Sequence, residues 1–140
     1  MTTQYLRPIV LDTSVVSVLL NERPAVACRY YEDQLRGSRL LVSFQTLEEI
    51  WFGAYQASWG LRRRGELTGR LARYEVVWPG PELVDRTAQL RVEQRRKGRE
   101  LTTADAWIAA TALSLGCPLA AHDRDFGAVD GLALIQAPAA

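Results

Sequence analysis

The apolar positions of this chain fall into two rhythms. Unbroken aliphatic runs occur at "RPIVL" (7–11), "RLLVS" (39–43), "EVVW" (75–78), "PLAA" (118–121) and "LALI" (132–135). They lack the every-second-residue alternation of a half-exposed strand, and so predict strands buried on both faces of a parallel sheet. Between these runs the apolar residues return at helical spacing. A short helix is expected over residues 14–20, closing at the turn signals Asn21 and Pro24. A second runs through "AVACRYYEDQL", with Pro24 as its first residue and Gly37 as its stop. In "QTLEEIWFGAYQASWG" a single stripe carries Leu47, Ile50, Trp51, Ala54 and Tyr55. "RRRGELTGRLARY" reads as the return arm of a helical hairpin over about residues 44–73, weakened by Gly65 and Gly69. Two further helices are "ELVDRTAQLRVEQRRKG" and "TADAWIAATALSLG", the last stopped by Gly116-Cys117-Pro118. Strands separated by helical patterns specify an α/β fold built on a parallel sheet of about four to five strands.

Length and charge narrow this picture. The chain has 140 residues, one domain's worth over 1–140, and its formal net charge of +1 argues against a purely electrostatic nucleic-acid binder. The two cysteines, Cys28 and Cys117, make no disulfide framework and suit packing in a reducing compartment. The start "MTTQYLRPIV" lacks a basic, then apolar, leader pattern, and no apolar run approaches the roughly 18 residues of a membrane span. A cytoplasmic protein that does not enter membranes is the expectation.

The informative chemistry is acidic. In an open parallel sheet, ligands gather at the carboxyl ends of the strands. Asp12 closes the first strand and Asp123 follows the strand "PLAA", so both project at that edge. Glu49 lies in the first turns of the helix after strand two, and Asp105 opens the apolar helix "ADAWIAATALSLG". Each acid has a structural alternative: Asp12 caps the following helix, Asp105 fits the box Thr102-x-x-Asp105, Glu49 faces solvent, and Asp123 is a turn residue. Gathered together, however, carboxylates repel one another and take up protons unless a cation is present. Mg²⁺ or Mn²⁺ is the natural resolution, because hard divalent ions prefer oxygen ligands, whereas one histidine and two cysteines are too few for zinc. Such a site suits phosphodiester chemistry.

Four segments in order carry a resemblance. "IVLDTSVV" holds Asp12; "VSFQTLEEIWFGA" sets Ser43, Thr46, Glu49 and Gly53 in register, which selects Glu49 over Glu48. "TTADAWIAATAL" places Asp105 before an Ile-Ala-Ala-Thr-Ala helix, and "LAAHDRDF" holds Asp123, with Asp125 before Phe126. In this order the chain resembles the PIN-domain nucleases, and among them the VapC toxins of bacterial toxin–antitoxin pairs. The resemblance implies a PIN-like three-layer α/β/α fold and a Mg²⁺-dependent endoribonuclease, inhibited by a cognate antitoxin and usually a homodimer. It implies that Asp12, Glu49, Asp105 and Asp123 hold the metal, one of them activating water. Asp125 can share or replace the role of Asp123, and Thr13 or Ser14 can touch the metal shell or the scissile phosphate. The alternative within this family is a non-catalytic RNA- or protein-binding module, disfavoured because all four acid positions are filled.

RNA requires further contacts. "LRRRG" and "RVEQRRKGR" place Arg62, Arg63 and Arg64 in one patch, and Arg95, Arg96, Lys97 and Arg99 in another. Arginine contacts phosphates and stacks on bases, although a solvated helix face gives the same pattern. The aromatics Trp51, Phe52, Tyr55 and Trp59 suggest core, an antitoxin groove or a dimer seam. A phosphotransfer module fits poorly. Receiver domains need paired early acids and a late lysine after a strand, whereas Lys97 follows a helix pattern; the dehalogenase type needs an acid where Ser14 stands.

Overall fold

A computed structural model of the chain describes residues 6–139. Five strands, β1 (Pro8–Leu11), β2 (Arg39–Ser43), β3 (Glu75–Val77), β4 (Leu119–Ala120) and β5 (Leu134–Ile135), make one sheet in the order β3-β2-β1-β4-β5. Every pairing is parallel. Six helices connect them: α1 (Thr13–Asn21), α2 (Ala25–Leu35), α3 (Phe44–Gln56), α4 (Leu61–Leu71), α5 (Pro81–Arg96) and α6 (Thr103–Leu115). The α/β fold on a parallel sheet expected from the alternating pattern is observed, in the three-layer arrangement that the resemblance implies.

The central strand shows why its residues are all apolar. Ile9 and Leu11 pack into the layer of α1 and α2, with Tyr31 at its heart, while Val10 faces the opposite layer beside Leu90 of α5 and Ile108 of α6. None of these three strand residues is more than 1% exposed. A strand covered on both faces has no solvated side on which to place polar residues. The helix α6 is likewise buried almost all round, and its run Ala109, Ala110 and Ala112 lets it lie close to the sheet.

Helix ends depart from expectation at two places, the first being α2, which starts at Ala25 with Pro24 in extended backbone as its N-cap rather than as its first residue. Gly98 and Gly116 adopt left-handed backbone after α5 and α6, and each end is closed by paired bonds: Gly98 N to Arg95 O with Arg99 N to Gln94 O, and Gly116 N to Leu113 O with Cys117 N to Ala112 O. For α3 the expected helical stretch runs on to Gly60, yet the helix ends at Gln56. There the left-handed residue is Ser58 (φ 58°), with Ser58 N bonded to Tyr55 O and Trp59 N to Ala54 O. The same closure forms without the glycine that signals it, and it turns Trp59 back toward the helix.

The chain crosses from β1 through α1 and α2 to β2, and later returns through α5 and α6 to β4 on the other side of β1. The strand order therefore reverses between β1 and β4. Crevices for ligands open at the carboxyl edge at such a reversal.

Candidate active site

Asp12 follows β1 directly, and its carboxylate caps α1 by accepting from Ser14 N at 3.2 Å. Its backbone N–H donates to Ala120 O at 2.8 Å, which fixes it at the gap between β1 and β4. Asp123 stands just beyond β4, at the start of the 3-10 turn Arg124–Phe126, and its side chain makes no cap bond there. Ser14 joins the two. Its hydroxyl donates to Asp12 Oδ2 and accepts from the backbone N–H groups of His122 (3.0 Å) and Asp123 (3.4 Å). Ser14 is thus spent on holding two acids in relation to one another.

Glu49 sits in α3, whose start is capped by Ser43 at the end of β2. Thr13 Oγ1 donates to Glu49 Oε1 at 3.2 Å and lies 3.0 Å from the buried Thr46 Oγ1, so one hydroxyl ties α1 to α3. Asp105 stands in the first turn of α6, with its backbone N–H bonded to Thr102 Oγ1 at 3.1 Å. The capping roles of Asp12 and Thr102 are therefore real, and they orient acids toward one edge rather than competing with a site.

Electrostatics shows which acids face one another. Burial pushes the Asp12 carboxyl above its ordinary value, its bonds from Ser14 pull it down, and the charge of Asp123 pushes it up again. Glu49 is raised chiefly by burial, against the Thr13 bond, and further by Asp12 and Asp105. Asp105 is raised by burial, then by Asp12, Asp125 and Asp123. Asp12 and Asp123 follow strands while Glu49 and Asp105 stand in helices, and the charges of Asp12, Asp105 and Asp123 push up the carboxyls of their neighbours in this group. Asp125 belongs to the same field, acting on Asp105 ahead of Asp123.

Among the described residues, no three His, Cys, Asp or Glu side chains converge tightly enough to grip an ion as they stand. The donor set is all oxygen and carries excess negative charge, as a hard divalent cation requires.

A second group of residues, unmarked in the sequence, holds the Asp123 loop from behind. Gln136, just past β5, donates through Nε2 to the carbonyl of Asp123 at 2.8 Å and to that of His122 at 3.4 Å. Arg124 donates to Gln136 Oε1 at 2.9 Å and to Ala137 O at 3.3 Å. Ala137 N donates to the buried Tyr31 hydroxyl at 3.0 Å, and that hydroxyl lies 3.0 Å from His122 Nδ1.

The basic patches are partly committed. Arg62 pairs with Glu66, Arg95 with Glu100, and Lys97 with Asp130. Arg63 instead lies over the Trp59 ring, 3.9 Å from its centroid, and Arg64 over Tyr55, to whose hydroxyl it donates at 3.3 Å. Phe52 and Tyr55 are exposed, so the aromatic stretch after Glu49 is not core as a whole. Among the described residues no helix is long and apolar enough to cross a membrane.

Comparison with known proteins bears on the family and the fold. A family model for the PIN domain matches residues 9–132. Ribonuclease VapC1 from Haemophilus influenzae is 28% identical over 116 residues, covering 81% of this chain and 84% of its own. VapBC2 from Rickettsia felis, solved bound to a DNA fragment from its promoter, superposes with a TM-score of 0.80 at 20% identity, over 92% of this chain and 98% of that one. VapBC-5 from Mycobacterium tuberculosis, a member of the VapBC family of toxin–antitoxin systems, gives a TM-score of 0.64 at 26% identity, over 92% and 96%.

Proposed function

The chain belongs to the PIN-domain family, and from that premise we propose that it is a metal-dependent endoribonuclease, the toxin of a toxin–antitoxin pair. The observation that carries the reading is the mutual influence of Asp12, Glu49, Asp105 and Asp123, with Asp125, whose charges raise one another's carboxyls at the carboxyl edge of the sheet. Asp12, Asp105, Asp123 and Glu49 are the residues that would hold Mg²⁺ or Mn²⁺. Bound there, the ion would polarise a phosphoryl oxygen and ease deprotonation of the attacking water.

The chain's own residues do the rest. The acids draw a cation to the edge and so make it habitable for a phosphate. Ser14 keeps Asp12 and Asp123 in fixed relation, and Thr13 orients Glu49. Burial and neighbouring acids raise the carboxyls of Glu49 and Asp105, which makes each a better proton acceptor than an ordinary carboxylate. Arg63 lines a cavity shared with Thr13 and Glu49, and the arginines of the two basic patches would supply contacts to RNA phosphates. The relatives named ribonuclease and the VapBC assemblies support RNA as substrate and a cognate antitoxin as partner. A homodimer has a surface available: exposed Trp78 and Leu115 flank one cleft beside α5 and α6.

The test is cleavage of RNA by purified protein, with Mg²⁺ and with EDTA, beside Asp12→Asn. Cutting only with metal, lost in a folded variant, is the expected result. Absence of cleavage of any RNA, together with no metal binding, would turn the reading to the non-catalytic binding module.

A further inference from the structure

Beside the acid edge lies a cavity of about 380 Å³ between α1, α3 and α4, a size within the usual range for small-ligand sites of about 300–1,000 Å³. Thr13 and Glu49 form one wall, so the cavity opens from the acid site itself. Its floor includes Ile50, Gly53 and Leu67, and its far side carries Trp59 and Arg63.

Two features are unexplained by the fold. Gly53 sits inside α3, where glycine weakens a helix, yet its backbone is ordinary and a Cβ there would meet nothing within 4 Å. No close packing in this chain requires the missing side chain; what the glycine preserves is open space at the cavity floor. The second feature is the stack of Arg63 on Trp59 at 3.9 Å, which presents a flat cationic plane at the cavity rim. Aromatic rings and guanidinium planes are the surfaces on which unpaired bases stack.

Charge decides what the cavity takes. Its lining carries two guanidinium groups and two carboxylates, Arg63 and Arg70 against Glu49 and Glu66. Arg70 is spent on the carbonyls of Leu20 (2.7 Å) and Leu19 (3.3 Å) at the end of α1. A phosphate would therefore meet two acids and one free arginine, which disfavours it. A flat, uncharged group with polar edges meets Asn21, Glu66 and an apolar floor.

We infer that this cavity is a subsite for one unpaired nucleobase of a single-stranded RNA, stacked at the Trp59–Arg63 platform beside the phosphate that the acid edge receives. The inference rests on the endoribonuclease reading for its ligand class, and it makes the hairpin of α3 and α4 the element that chooses where the strand is cut.

The experiment uses a labelled single-stranded oligoribonucleotide and the full chain as wild type, Gly53→Leu, Trp59→Ala and Trp59→Phe. Binding is followed by fluorescence anisotropy in EDTA, where no cutting is expected, and cleavage by KM, kcat and cut position in Mg²⁺. Gly53→Leu fills the cavity while favouring the helix, so its melting temperature should equal or exceed that of wild type. Gly53→Leu and Trp59→Ala are expected to weaken binding at least tenfold and raise KM alike, with cut positions spread along the strand. Trp59→Phe keeps an aromatic face and should recover most of the binding. Binding and cut positions unchanged in Gly53→Leu and Trp59→Ala would overturn the subsite and leave the groove to a protein ligand. No RNA binding by wild type overturns it too. Wild type that binds with this pattern but never cuts in Mg²⁺ removes the nuclease reading and still supports the nucleobase subsite.

Discussion

Asp12 is 3% exposed, and its carboxyl is held above the ordinary range by burial and by Asp123 against the bonds from Ser14. A carboxyl raised on folding contributes stability below its unfolded pKa, roughly 3.9, and loses it as pH climbs through the folded value. In EDTA, therefore, Asp12→Asn should gain on wild type as pH rises from about 4, by a few degrees in Tm. Mg²⁺ at pH 7 should raise the wild-type Tm and leave that of the variant unmoved. Melting curves across this range check both, and a constant gap between the two proteins at every pH would show that folding does not raise the Asp12 carboxyl. Ser14 gives a separate prediction. Its hydroxyl meets Asp12, His122 and Asp123 together, so Ser14→Ala should lower kcat by roughly 10–100-fold, as loss of a ligand-orienting group does. A KM left unchanged in the same assay would separate positioning from RNA contact.

At the scale of elements, the positions of three acids were legible because each marks a junction: Asp12 and Asp123 follow strands and Asp105 opens a helix. Buried strands and helix starts have local signatures, and carboxylates placed there point to one edge. The clamp behind Asp123 had none. Tyr31 and Ala137 are 106 residues apart in sequence, and nothing local in "LIQA" says that Gln136 will hold the acid loop. Gln136→Ala should therefore lower the apparent Mg²⁺ affinity, read as a higher metal midpoint for cleavage, while costing only about 1 kcal/mol of stability. The end of α3 escaped the sequence for a different reason. Ser58 occupies a left-handed position that glycine takes in α5 and α6, so the stop signal was absent where the stop occurs. Relief of the Cβ strain, offset by the greater unfolded-state freedom of glycine, leaves Ser58→Gly a net gain of up to about 1 kcal/mol. A thermal melt shows this as a rise in Tm, and a fall would mean the Ser58 side chain contributes more than its backbone strain costs.

Across the whole molecule, charge is sorted along the strand direction. Near the amino ends of the strands the charges are matched: Arg39 binds Glu75 through two bonds of 2.9 and 3.0 Å, and Arg73 binds Glu32. At the carboxyl edge the acids face one another, and nearby arginines point elsewhere. A net charge of +1 conceals this polarity, because the sequence shows how many charges there are but not which are neutralised. The patch at the end of α5 shows the consequence. Arg95 reaches Glu100 at 2.6 Å and Lys97 reaches Asp130, whereas Arg96 and Arg99 form no ion pair among the described residues. Arg96 ends α5 and Arg99 lies in the loop after it, which leads into Thr102, the residue that caps α6 ahead of Asp105. Only a group not already paired can displace counterions from RNA, and each such contact to a single strand contributes about 0.7 to the slope of log affinity against log salt. Binding in EDTA between low and moderate salt should accordingly lose about 0.7 of slope in Arg96→Ala or Arg99→Ala, and nearly none in Arg95→Ala. Affinity at a single salt concentration cannot make this distinction, because removing Arg95 also bares Glu100 and weakens binding at long range. Equal slopes in all three variants would place the RNA backbone away from α5 and leave the α3–α4 hairpin as the chief path of the strand.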